Sequence, residues 1–201
     1  IFCVLAFQLN ASMLTPALPN IAESLNVSVD LMSNVSSLFF LASSIGGVIL
    51  SRWSDFIGRR NALIIVLLTL AAGTIVCIFA TNLTTLLIGR VLQGASGATF
   101  QITYVFMKEK LDAKTFGVVL GVLTAVNGGV GGFDGYLGGL LSDNYGYQSI
   151  FVVILAVIIL TFISVLFVVP KEEAAVTTGK MDWWGSAMLS IGLIFMTYFV
   201  T

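Results

Sequence analysis

Ser51-Arg52-Trp53-Ser54-Asp55-Phe56-Ile57-Gly58-Arg59-Arg60 packs three arginines and one aspartate into ten residues of a chain that is only 9% charged. Long apolar runs lie on both sides of it. A charge cluster between two such runs reads as a short cytoplasmic turn joining two membrane spans. The composition points the same way: of 201 residues 58% are hydrophobic and the mean hydropathy is +1.04, whereas a soluble chain is about a quarter charged. The apolar surplus comes in blocks of about 20 residues, the length that crosses a ~30 Å hydrocarbon core as a helix. A transmembrane barrel would show ~10-residue alternating segments instead, and the sequence has no such pattern.

Outward from the turn, the blocks predict an all-α membrane protein with spans over Ile1–Pro19, Asn34–Leu50, Ala62–Thr81, Thr85–Met107, Thr115–Leu141 and Ile150–Val169. The first is the most polar, with Gln8, Asn10, Ser12 and Thr15; Pro16 and Pro19 would kink or end it, leaving residues 20–33 as a polar loop. The fifth is glycine-laden. Eight of the nine basic residues fall in three loops (Arg52, Arg59, Arg60; Lys108, Lys110, Lys114; Lys171, Lys180), which alternate with loops that are acidic or uncharged. The positive-inside rule puts the basic loops and the N-terminus in the cytoplasm. The chain starts without Met inside one apolar run and ends inside another, so it reads as a fragment: residues 1–169 a six-helix bundle, 170–182 a cytoplasmic linker, 183–201 a truncated seventh helix.

The absence of histidine removes the usual general base and the commonest metal ligand. Cys3 and Cys77 sit in apolar spans without C-x-x-C spacing and read as packing residues. No enzymatic activity, metal, cofactor or nucleic-acid partner is expected. An internal repeat is visible instead. Gly46-Gly47 followed by Ser54-Asp55-Phe56-Ile57-Gly58 closes the second span, and Gly138-Gly139 followed by Ser142-Asp143-Asn144-Tyr145-Gly146 closes the fifth. Three spans per unit place the copies in opposite orientations, and inverted three-helix repeats mark transporters.

Ser51 to Arg60 resembles motif A of the major facilitator superfamily: Asp55, Gly58, Arg59 and Arg60 match it, while Ser51 stands for its usual Gly and Phe56 for its usual basic residue. Leu87 to Gly97, with Arg90, Gln93, Gly94 and Gly97, resembles motif B in span four. Leu9 to Pro19 is similar to the span-one motif of drug:proton antiporters, with Asn10 in place of its aspartate, and Asp182-Trp183-Trp184-Gly185 resembles a motif of the fourteen-helix branch. In span five Asp134-Gly135 replaces the antiporters' Gly-Pro, which predicts a straighter helix carrying a carboxylate. The resemblance implies the N-terminal six-helix bundle of a proton-coupled multidrug exporter in the plasma membrane, working with small-molecule substrate, protons, the lipid bilayer and a missing C-terminal bundle of the same polypeptide. Asp55, Gly58, Arg59 and Arg60 would form its cytoplasmic gate.

Arg90 and Asp134 are the ionisable side chains well inside spans, where a charge costs about 2.5–3.5 kcal/mol at a helix centre. Both lie roughly 9–12 Å below the outer surface at 1.5 Å per residue, so they could pair. Either the pair is a static staple between spans four and five, or Asp134 exchanges a proton that Arg90 controls. Arg90, Gly94, Gly97, Gln101 and Tyr104 share one helical face. Gln101 and Tyr104, with Gln8 and Asn10 of span one, are the candidate substrate contacts; interhelical hydrogen bonding is the alternative for each. The rival functions are a metabolite or sugar permease of the same fold and a non-transporting membrane scaffold.

Overall fold

The computed structural model describes residues 2–170 and 181–200. Most of the predicted linker, with Lys171 and Lys180, lies outside the described residues. Span one is a broken helix, α1 (Phe2–Ser12), a 3₁₀ turn (Thr15–Ala17) and α2 (Leu18–Leu25). Pro16 and Pro19 break it without ending it, because a proline in the first turn of a helical segment lacks only an N–H that has no intrahelical partner there. The loop expected over residues 20–33 is therefore helical as far as Leu25, where Asn26 stops it in the left-handed conformation.

Span two, α3 (Ser33–Ile57), is longer than expected. The charged stretch is not a loop: α3 runs through Asp55, and only Gly58 separates Ile57 from the start of α4 (Arg59–Ile78). Gly58 alone makes the corner, with φ 86° and ψ 146°, a region essentially restricted to glycine. Hydropathy reports where a helix leaves the membrane, not where its hydrogen bonding stops.

Span four is broken like span one: α5 (Leu83–Gly94), a 3₁₀ turn (Ala95–Gly97) and α6 (Ala98–Lys110). Its two pieces are separately too short to cross a bilayer. Five continuous or nearly continuous segments are long and apolar enough to do so: Phe2–Leu25, Val29–Ile57, Arg59–Ile78, Ala113–Tyr145 and Gln148–Val168. Span five, α7 (Ala113–Tyr145), runs unbroken past Asp134, as the missing proline predicts. Asp112 caps it, accepting from the amides of Lys114 and Thr115. The Thr115 side chain and these amides hold its carboxyl below the usual carboxylate range. Gly146 (φ 79°, ψ 158°) turns the chain into α8 (Gln148–Val168), and α9 (Trp183–Val200) packs beside α3.

Small residues set how closely the spans approach. A Cβ at Gly138 would overlap the Met13 carbonyl oxygen, one at Gly94 would overlap Ala42, and one at Gly97 would overlap Ser43. Span five is thus seated on the break in span one, and span four on α3. The buried apolar residues form one large cluster at the end away from the arginines, built on Leu14, Ile21, Leu70, Leu86, Phe151 and Ile154. A smaller one at the basic end centres on Leu63, Val66, Leu67 and Ile102. Cys3 and Cys77 are free thiols buried within these clusters.

Candidate functional site

Three polar clusters interrupt this apolar packing. The first is the corner at Gly58. Asp55 on the last turn of α3 accepts from Arg52 Nη1 (2.8 Å) and Arg59 Nη1 (2.5 Å). Arg59 also donates to Ser54 Oγ and, through Nη2, to Glu109 Oε1 at 2.9 Å on the last turn of α6. Arg60 Nη2 donates to the Leu166 carbonyl of α8. Phe56, where a basic residue was expected, lies under the Arg52 guanidinium at 5.8 Å. The corner therefore ties spans two, three, four and six at the basic end. Glu109 is the participant that sequence reasoning missed, because Lys108-Glu109-Lys110 reads as an orientation signal and nothing local announces a partner on α4.

The second cluster surrounds Arg90, which is fully buried. Its Nη1 donates to Asn10 Oδ1 (2.9 Å), the Asn10 carbonyl (3.2 Å) and Gln93 Oε1 (2.9 Å), and its Nε to the Val35 carbonyl (3.4 Å). The guanidinium carbon stands 4.1 Å over the Phe39 ring. Gln93 passes the network on to Thr74 Oγ1 at 2.9 Å. Neutral oxygens and a π face hold this cation, stapling spans one, two, three and four.

The third cluster is at Asp134, also fully buried. Ser12 Oγ donates to Asp134 Oδ2, Gln8 Nε2 reaches Ser12 Oγ at 3.1 Å, and Ser12 Oγ lies 2.8 Å from the Gln8 carbonyl. Gly131 faces the Gln8 amide, which a Cβ there would meet at an ordinary contact distance of 3.5 Å.

The expected Arg90–Asp134 pair is not formed. Arg90 takes Asn10, Gln93 and Val35 instead, and Asp134 takes Ser12. Asn10, which holds Arg90, and Ser12, which holds Asp134, are two residues apart on α1 and so point about 200° apart around it. Span one stands between the two charges, although their depths agree when counted along the sequence.

The four expected substrate contacts are also dispersed. Asn10 is buried under Arg90, and Gln8 belongs to the Asp134 cluster. Gln101 is packed at Gly47 and lines an open groove of about 320 Å³ with Arg52, Asp55 and Arg59. Tyr104 sits edge-on to Phe116 of α7, with ring centroids 5.3 Å apart. The face of span four bearing Gly94 and Gly97 is covered by α3, so its regular spacing marks packing.

A family model described as Major Facilitator Superfamily matches residues 1–201. The Uridine/deoxyuridine transporter of Lactococcus lactis subsp. cremoris is 36% identical over 94% of this chain and 40% of its own length. Multidrug resistance protein MdtG of Proteus mirabilis is 32% identical over 83% of this chain and 42% of its own. Citrate exporter 1 of Yarrowia lipolytica is 28% identical over 97% and 30%. The chain thus spans less than half the length of these relatives. Among solved structures, the POT family transporter PepTSo superposes with a TM-score of 0.55 at 16% identity, covering 98% of this chain and 46% of that one, a likeness of fold. Its membrane-spanning helices and the match along its whole length agree: this multi-pass membrane chain belongs to the Major Facilitator Superfamily.

Proposed function

We propose that the chain forms one helical bundle of a proton-coupled secondary active transporter that exports hydrophobic or cationic small molecules by alternating access. It works against a second bundle, in keeping with the greater length of its relatives, in the cell membrane with its N-terminus in the cytoplasm. Asp134 carries this reading: a carboxylate fully buried in mid-span, about 16 Å from the end of α7 at 1.5 Å per residue. An intramembrane ionisable residue marks a functional site by default, and proton relay is a role that buried carboxylates take there. Arg90 organises the spans around it, and Asp55, Gly58, Arg59 and Arg60, with Glu109, close the cytoplasmic side in one state and part in the other.

The intact protein in proteoliposomes with an imposed proton gradient tests this, with ethidium as the cationic probe and uridine as the neutral one. Gradient-dependent ethidium movement is expected, and Asp134→Asn should reduce it at least tenfold at unchanged expression. Undiminished gradient dependence in that variant would remove Asp134 from the coupling. A second reading, a nucleoside permease, is favoured by the relative named a uridine/deoxyuridine transporter. Movement of uridine and not ethidium would establish it.

A further inference from the structure

Ser12 has one hydroxyl proton and two acceptors. Its Oγ lies 2.8 Å from the Gln8 carbonyl, one turn back on α1, and within hydrogen-bond reach of Asp134 Oδ2 on α7. It also receives Gln8 Nε2 at 3.1 Å. A hydroxyl donates once and accepts twice, so the two acceptors cannot both be served by Ser12 at the same time. The protonation state of Asp134 decides between them. When the carboxylate is ionised it has no hydrogen of its own, and the Ser12 proton must point to it. When the carboxyl is protonated, its O–H donates into Ser12 Oγ, and the Ser12 proton turns back to the Gln8 carbonyl. Both states are reached by rotating one hydroxyl.

From this geometry we infer that Ser12 is the positioning residue through which the proton on Asp134 acts on span one. The inference rests on Asp134 being the proton site. No charged group from the neighbouring elements competes for the role. α1 and α8 carry no Asp, Glu, Lys or Arg, the charges of α6 (Lys108, Glu109, Lys110) are at its basic end, and Asp143 is more than two turns further along α7. Arg90 is held on the other side of span one by Asn10. Among the described residues Ser12 is the donor to the Asp134 carboxylate, and Oδ1 is buried without a partner.

The placement gives the switch a target. Ser12 is the last residue of α1, directly before the break at Thr15–Ala17. A serine hydroxyl bonded back to the carbonyl one turn earlier bends a helix, and here it does so only when Asp134 holds a proton. Gly138 of α7 rests against the Met13 carbonyl in the same break, so a change there is felt at the contact between spans one and five.

Infrared difference spectroscopy of the purified intact protein across a pH titration reads the switch without any substrate, through the carbonyl band of a protonated carboxylic acid. A band lost in Asp134→Asn belongs to Asp134. Ser12→Ala should displace both the frequency and the midpoint of that band, because the ionised form loses a hydrogen-bond donor and the protonated form an acceptor. Ser12→Thr, which keeps the hydroxyl, should restore both and also controls for folding. If the band is lost in Asp134→Asn but Ser12→Ala leaves its frequency and midpoint in place, the role of Ser12 is overturned and Asp134 stands. If no band is lost in Asp134→Asn, the proton site itself is wrong.

Discussion

The corner at Gly58 and the corner at Gly146 are built from the same five-residue pattern at opposite ends of the bundle, and they are closed by different chemistry. In each, a Ser-Asp pair ends a long helix and a glycine three residues after the Asp turns the chain with positive φ, 86° in one and 79° in the other. In each, a single nitrogen bridges the serine hydroxyl and Oδ1 of the aspartate. At the basic end it is Arg59 Nη1, on Ser54 and Asp55. At the other end it is Asn20 Nδ2, on Ser142 Oγ at 3.0 Å and Asp143 Oδ1 at 2.7 Å. Each corner also reaches the second segment of the broken first span of the other repeat: Glu109 on α6 from one, Asn20 on α2 from the other. The inverted repeat thus conserves backbone and acceptors within this chain while the donor changes from a cation to an amide. The shared part is the fold of a corner; the changed part is the charge of its donor.

Replacing the glycines attacks what the corners share. Gly58→Ala and Gly146→Ala should each destabilise the protein by about 1–3 kcal/mol, since both positions lie in a region that L side chains rarely adopt. Thermal unfolding in detergent measures it; a large effect at one corner alone would break the equivalence. The next largest effect separates the two. Asp55→Asn removes the charge that holds both Arg52 and Arg59 and should cost about 1.5 kcal/mol. Asp143→Asn keeps an oxygen for Asn20 and should cost about 0.5 kcal/mol. Equal losses in the same unfolding assay would mean that the ionic corner is no stronger than the neutral one. The smallest effect is in salt dependence. The Arg59–Glu109 coupling in a double-mutant cycle should be under about 1 kcal/mol, because Glu109 is 45% exposed. It should vanish at 1 M salt, where screening acts over ~3 Å. The Asn20–Asp143 coupling, whose donor is a neutral amide, should fall much less. A salt-insensitive Arg59–Glu109 pair would contradict this.

How much of this was legible varies with how local the signal is. The repeat was readable from Ser54-Asp55-x-x-Gly58 and Ser142-Asp143-x-x-Gly146, because a corner needs its glycine and acceptors close together in sequence. The continuity of α7 past Asp134 agreed with a missing proline. Span ends were less legible: α2 extends to Leu25 and α3 to Ile57, since polar residues continue a helix after it leaves the apolar layer. The candidate site was legible as a set of residues but not as an arrangement. Ser12 stood out as polar in span one, yet its bond to Asp134 crosses from the first span to the fifth, and Glu109 looked like one more loop charge.

By itself the sequence determined the membrane class, the helical blocks and the inverted repeat. Each of these is written in hydropathy or in residues a few positions apart, where backbone chemistry is local. Only the tertiary structure decided which partners the buried charges take. Depth along a helix can be counted from sequence, but the direction in which a side chain faces depends on how every span is rotated against its neighbours. Arg90 and Asp134 count to the same depth from the sequence, and span one, with Asn10 on one side and Ser12 on the other, keeps them apart.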